Sequence, residues 1–296
     1  MRKIYLFLGA VISLGILISL TQPSLQHSII VKALMPKKTS LLEKSIQYEK
    51  LTLAQSEAHI LVVPSQSQFS ITPALSPKLN TIEEFQKQYQ AIAIINGGFF
   101  DPNNQKTTSV VILNGKLIAD PRKNERLINN PDLKPYLANI LNRSEFRSYV
   151  CGLNILHDIV LHNNPIPKGC QLRNAMGGGP QLLPELTSEK EGFVDKTKHR
   201  DALGSTRPNA RTAIGITRDG SVILVMVAQK TKAHTDSGIS LPALADFMKS
   251  LGATKAMNLD GGSSSSLYYN GKSFYGKVDS EGNFIKRPVK SVLLVQ

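Results

Sequence analysis

Three times along this chain a short apolar run stops abruptly at a cluster of glycines. Ala91 to Ile95 runs into Asn96-Gly97-Gly98-Phe99-Phe100-Asp101, and Ala175-Met176 runs into Gly177-Gly178-Gly179-Pro180. Ala256-Met257-Asn258-Leu259 runs into Asp260-Gly261-Gly262-Ser263-Ser264. The apolar run before Asp260 has the length of a buried strand. A lone Asp-Gly-Gly is an ordinary turn. Its recurrence constrains the fold more strongly, because it asks for several strands whose loops converge on one place. At such a place glycine lets a ligand come close to the backbone. Asp260 and the hydroxyls of Ser263 and Ser264 then suit a polyol or a phosphate ester. Phe99 and Phe100 are either core or the apolar wall of a sugar pocket.

The rest of the chain supplies strands, hairpins and a few helices. Tyr48 to Leu53 and His59 to Val63 read as strands. Thr81-Ile82-Glu83-Glu84 has capping-box spacing and opens a helix to about Tyr89. Asn114-Gly115 and Asn270-Gly271 each join two apolar runs and predict type I′ hairpins. Residues 121–148 are rich in Arg, Lys, Asn and Pro and read as an insertion, partly helical at Tyr136 to Leu141. Residues 185–209 read as a charged, exposed loop. Arg211 to Ile216 and Val222 to Ala228 are strands that turn at Asp219-Gly220. Ser240 caps a helix from Leu241 to Ser250 that ends at Gly252, and Val289 to Val295 is a terminal strand. This pattern predicts an α+β fold with mixed β-sheets and flanking helices, in a single catalytic domain over residues 46–296.

The first residues carry an address. Arg2 and Lys3 precede an uncharged apolar run from Ile4 to Leu20. Residues 1–21 are therefore a signal peptide or an N-terminal membrane anchor, and residues 22–45 a linker. Either reading exports the remainder to the periplasm, the medium or the outer face of a membrane, with membrane association through that segment. The cysteines are Cys151 and Cys170 alone, and an exported chain with an even count invites a disulfide between them.

Composition favours some partners and excludes others. A net charge of +13 over 296 residues favours anionic partners such as phosphorylated glycans. The basic residues are scattered and no nucleic-acid-binding signature appears, so nucleic acid is not expected as a partner. No His-x-x-x-His or Cys-x-x-Cys spacing points to a metal, and no cofactor is implied. Gly271-Lys272-Ser273 lacks the upstream glycine of a P-loop, and Gly262-Ser263-Ser264 lacks the closing glycine of a nucleophile elbow. Arg211 is the candidate anion-binding residue, since guanidinium can bond phosphate twice. His234, just before the capped helix, is the one histidine kept as a candidate.

Taken in order, Asn96-Gly97-Gly98-Phe99-Phe100-Asp101, Met176-Gly177-Gly178-Gly179-Pro180, Arg211-Thr212-Ala213-Ile214-Gly215 and Asn258-Leu259-Asp260-Gly261-Gly262-Ser263-Ser264 resemble the phosphodiester glycosidase domain family. Gly238 to Gly252 is similar to a helix of that family. The family includes bacterial exported proteins linked to exopolysaccharides. The resemblance runs from about residue 90 to the C-terminus and implies hydrolysis of a sugar-1-phosphodiester. Asp260, Asp101 and Arg211 would be the catalytic residues. Asn96, Gly97, Gly98, Phe99, Phe100, Gly178, Gly179, Thr212, His234, Gly261, Gly262, Ser263 and Ser264 would contact the substrate. Two departures stand out. Ser263 replaces a third glycine, and Gln229-Lys230-Thr231 stands where the family often has Asp-Gly-Arg. The alternative is a non-catalytic glycan-binding or exopolysaccharide-assembly protein.

Overall fold

A computed structural model describes residues 45–232 and 237–296. The expected signal or anchor segment, nearly all of the expected linker and His234 lie outside the described residues. The chain runs β1 (Gln47–Thr52), β2 (Ser56–Val63), β3 (Ile71–Asn80), α1 (Ile82–Tyr89), β4 (Ala93–Asn96), β5 (Val111–Leu113) and β6 (Lys116–Ala119). Short helical turns follow, including α2 (Glu125–Ile128) and α3 (Leu137–Leu141), then β7 (Ser144–Cys151), β8 (Asn154–Leu161), β9 (Cys170–Gly177) and β10 (Gln181–Leu183). Next come β11 (Val194–Asp195), β12 (Arg200–Asp201), β13 (Arg211–Thr217), β14 (Val222–Gln229) and α4 (Leu241–Ser250). The chain closes with β15 (Ala253–Asn258), β16 (Ser266–Tyr269), β17 (Lys272–Tyr275) and β18 (Val289–Val295).

The described residues belong to one compact unit. Three large sheets have the strand orders β1-β2-β14-β13-β15-β10, β17-β16-β4-β18-β3 and β6-β5-β9-β7-β8. Strands dominate and helices are few, so the helical share of the expected α+β fold is minor. The expected mixed sheets are corrected as well. Every ladder among the described residues is antiparallel, because hairpins and loops rather than helical crossovers connect neighbouring strands.

The period-2 alternation of strand side chains explains how three sheets share one core. On β14, Val222, Leu224, Met226 and Ala228 face a central cluster to which all three sheets contribute. Ile223, Val225 and Val227 face the opposite way, under Leu241, Leu244, Ala245 and Met248 of α4. On β4, Ala93 and Ile95 enter the central cluster while Ile94 packs under Ile82 and Phe85 of α1. Both helices are capped as their sequences predict. Thr81 and Glu84 close a reciprocal capping box, and Ser240 accepts from the Ala243 N–H. The hairpin turns also hold, with Asn114 and Asn270 at positive φ beside Gly115 and Gly271.

Two stretches differ from expectation. The supposed insertion over 121–148 ends early, because Ser144 to Ser148 is buried strand. Its charges mislead in sequence, since Glu145 and Arg147 are both buried and bonded to each other at 2.8 Å. Within the supposed exposed loop over 185–209, Glu191 and Phe193 are buried. Cys151 and Cys170 are a directly facing cross-strand pair and are disulfide-bonded, with Cα atoms 4.2 Å apart. Closing a loop of this size contributes roughly 3 kcal/mol in the chain-entropy model.

A buried histidine, His59, and a partly buried one, His157, are expected to make the domain acid-sensitive. Burial is the main force pulling His59 and His157 from 6.5 down to about 4, with Lys50 adding to it at His59. In the unfolded chain each would titrate at its ordinary value. Between about pH 6.5 and 4 the unfolded state therefore binds more protons, and stability falls as pH falls through that window. Melting temperatures of the wild type and His59→Gln, compared between pH 7 and 4, should diverge by less at the acid end, because the variant lacks one of the two titrating groups.

Candidate functional site

The three glycine stretches terminate β4, β9 and β15, which belong to three different sheets, and they meet at one end of the domain. Asn96 is the hub. Its Nδ2 donates to the Asp260 carbonyl at 2.7 Å. Its Oδ1 accepts from the Thr212 hydroxyl at 2.8 Å and from the Ser266 N–H at 3.0 Å. The Asp260 N–H donates to the Gly97 carbonyl at 3.1 Å, and the Leu259 N–H to the Thr212 carbonyl at 2.8 Å. Gly179 and Asn258 exchange two hydrogen bonds, Gly179 N–H to the Asn258 carbonyl at 2.8 Å and Asn258 Nδ2 to the Gly179 carbonyl at 3.0 Å. All four sequence motifs are thus bonded into one cluster.

Most of the glycines serve contact between backbones rather than the expected approach of a ligand. A Cβ on Gly98 would stand 2.2 Å from the Gly177 carbonyl oxygen, and one on Gly178 would stand 2.8 Å from that of Asn258. Gly98→Ala should therefore cost about 3 kcal/mol by overpacking, read as a lowered midpoint in denaturant. Gly262 differs. Its φ of +60° favours glycine, and the nearest atom to a Cβ there is 3.7 Å away.

Asp260 follows β15 at this end, closely surrounded but still touched by solvent. Its Oδ1 accepts from the Gly261 N–H at 2.9 Å, and the Ser264 side chain bonds it too. Burial pushes its carboxyl from 3.8 up to about 6, against the opposing pull of Ser264 and Arg287. Arg287 is the candidate side chain that sequence reasoning missed, hidden in an unremarkable Lys286-Arg287-Pro288 between a hairpin and the last strand. Its Nη1 donates to the Ser263 hydroxyl at 2.7 Å, and its guanidinium sits 5.3 Å from the centre of the Phe100 ring. A carboxylate, a cation and two serine hydroxyls are thereby assembled around one loop.

A second cation stands beside Phe99. The Arg143 guanidinium lies 3.6 Å from the Phe193 ring centre and 5.9 Å from that of Phe99. Its Nε donates to the Glu191 carbonyl at 3.2 Å, and burial lowers its pKa to about 9. The Glu191 carboxylate accepts from Ser144 N–H and Oγ and from the Gln181 N–H, each at 2.8 Å, and so holds this wall against the Gly179 loop.

The other candidates fall into place unevenly. Arg211 is only 3% exposed. Its guanidinium donates to the carbonyls of Ile239, Leu203, Gly204 and Arg207, and burial lowers its pKa to about 10. The guanidinium expected to bind an anion is thus engaged by backbone: Arg211 ties down the loop before β13, and its stem underlies Gly261. Asp101 is likewise engaged, with Oδ1 accepting from the Asn103 N–H and Oδ2 from Arg126 Nε, both at 2.8 Å. Asn96 and Thr212 are fully buried and bonded to protein, so each holds the converging loops in place. Phe100 is mostly core, whereas Phe99 remains partly exposed. Among the described residues no group of three or more His, Cys, Asp or Glu side chains gathers to hold a metal ion.

A family model described as phosphodiester glycosidase matches residues 89–296. The chain belongs to the phosphodiester glycosidase family. Among solved structures, this phosphodiester glycosidase domain is similar to the catalytic domain of zebrafish N-acetylglucosamine-1-phosphodiester α-N-acetylglucosaminidase, auto-inhibited by its pro-peptide. The identity is 19%, the TM-score 0.60, and the match covers 85% of this chain and 82% of that one. A hypothetical protein from Synechocystis matches at 18% identity and TM-score 0.54, over 84% of this chain and 61% of its own. A putative exported protein from Burkholderia pseudomallei matches at 15% identity and TM-score 0.55, over 81% of this chain and 74% of its own. At these identities the structures speak to the fold. No curated protein matches the sequence.

Proposed function

We propose that this phosphodiester glycosidase domain is an exported hydrolase that cleaves a sugar-1-phosphodiester into free sugar and a phosphomonoester. The observation that carries the reading is Asp260, its carboxyl raised to about 6, bonded to Ser264 on the same loop where Ser263 holds Arg287. A phosphate leaving group needs little proton donation, so the demands on the site are charge and position. Arg287 neutralises the departing phosphate, as a donor fixed in advance does. Asp260, ionised, faces the sugar carbon and either stabilises an oxocarbenium-like transition state or attacks it. Asn96 and Thr212 hold the Asp260 backbone in place, and Phe99 with Arg143 forms one wall of the sugar site. The disulfide and the basic net charge fit an exported protein that meets anionic glycans.

One observation favours a second reading, a glycan-binding protein without turnover. Gln229 stands where the family often places an aspartate. It is buried, with Nε2 donating to the Ser237 carbonyl at 3.1 Å and Oε1 accepting from the Val278 N–H at 3.2 Å. A carboxylate could not make the first of these bonds. Incubation with a panel of sugar-1-phosphodiesters separates the readings. Release of reducing sugar that disappears in Asp260→Asn supports hydrolysis. Saturable binding with no release from any substrate supports the binding protein.

A further inference from the structure

The end of the domain opposite the glycine loops carries chemistry that glycoside cleavage does not use. The β7–β8 hairpin turns there at Gly152-Leu153, and Leu153 is 103% exposed, Ile155 49% and Leu156 52%. Successive strand residues point to opposite faces, so this tip is apolar on both sides. A protein partner that covered one face would leave the other in water, whereas an apolar medium that surrounds the tip covers both. The disulfide braces the tip, and Ile166, 46% exposed, lies in the connection that leads to Cys170. Around it, residues 110–119, 151–157 and 163–176 hold Lys116, Lys168 and Arg173 and not one carboxylate. The Gly115 N–H bonds the Arg173 carbonyl at 2.7 Å, which brings the Lys116 hairpin to the same place.

Two further observations say what covers this end. A cavity of about 700 Å³ opens between the hairpin tip, Arg173, Asp219 and the hydroxyl-bearing loop after Val63. The Asp219 carboxylate is occupied by the Thr217 and Ser221 hydroxyls, which leaves Arg173 and the loop hydroxyls as donors to a phosphate-bearing headgroup. The chain also enters the domain here, because Gln47 pairs with Val62 next to the cavity wall. In sequence, the uncharged apolar run Ile4 to Leu20 precedes that entry by a linker that spans on the order of 80 Å when extended.

We propose that this end docks on the surface of an anionic phospholipid bilayer, with the Leu153 tip in the acyl boundary and Arg173 and Lys168 at the phosphates. The glycine-loop site then faces away from the bilayer. The inference is independent of whether the domain turns over substrate.

The chain contains no Trp, so Leu153→Trp in the full-length protein is a lone reporter. Its emission should shift to the blue with vesicles of phosphatidylcholine and phosphatidylglycerol, and bromine-labelled acyl chains should quench it. Phe284→Trp, near the opposite end, should show neither change. Lys168→Gln and Arg173→Gln should each weaken co-sedimentation with these vesicles about fivefold. Leu153 is fully solvated, so its replacement leaves folding intact, which a melting curve verifies. Sedimentation of the full chain with an unshifted, unquenched Leu153→Trp would assign binding to another segment and overturn the proposal. Failure of the chain to sediment with the anionic vesicles would overturn it as well.

Discussion

Asp260→Asn is expected to abolish release of sugar, by on the order of a thousandfold in kcat, and at the same time to stabilise the domain above pH 6. Both effects follow from one property. Burial raises the Asp260 carboxyl from 3.8 to about 6, so the folded protein holds its ionised form at a cost. Between those values the folded state binds more protons than the unfolded one. Wild-type stability therefore declines as pH rises from about 3.8 and reaches its full deficit above about 6. Asparagine does not titrate, so the variant escapes that deficit. The gain is at most about 3 kcal/mol, and the solvent that still reaches the carboxylate trims it. Melting curves at pH 4 and pH 8 should show the two proteins close at the first and separated at the second. Equal melting at both values with unchanged turnover would remove Asp260 from the centre of the site. A purely structural carboxylate would instead be destabilised by the change.

Much of the domain was legible in the sequence wherever local chemistry decides structure. Thr81 with Glu84, Ser240, Asn114-Gly115 and Asn270-Gly271 act within a few residues, and each places its helix or turn as read. The convergence of the glycine loops was legible too, because the same ending recurs three times. What the loops do was not. Gly98 and Gly178 look like openings for a ligand, but each makes room for another stretch of backbone, a neighbour that sequence order does not reveal. The same blindness affects buried charge. Glu145 and Arg147 read as surface because their compensation lies in each other and in distant carbonyls. Strand β3 escaped notice because Pro73 and Pro77 argue against a strand, yet it lies at a sheet edge, where a missing N–H is tolerated. As candidates for the anion site, Arg211 and Arg287 change places for a related reason. A conspicuous motif arginine is consumed by loop carbonyls, while an inconspicuous one is brought to the carboxylate by the return of the last strand.

That exchange makes Arg287 the subject of the second large effect. Arg287→Met should lower kcat by about a hundredfold to a thousandfold, the range seen when a preorganised donor to developing charge is removed. It should also move the pH profile. Activity that requires ionised Asp260 rises with pH through about 6 and levels off above it. The Arg287 charge favours the ionised carboxylate, so its loss raises that pKa further and shifts the acidic limb to higher pH. Arg287→Lys separates charge from geometry. An ammonium keeps the limb near its wild-type position but lacks the planar fork that reaches Ser263 and stacks on Phe100, so turnover stays low. Arg211→Lys provides the contrast, because a residue tied to four loop carbonyls should change the melting temperature and leave the limb where it was. If Arg211→Lys moved the limb and Arg287→Met did not, the anion site would belong to Arg211 after all. The loop at 203–207 would then have to release its guanidinium when substrate binds.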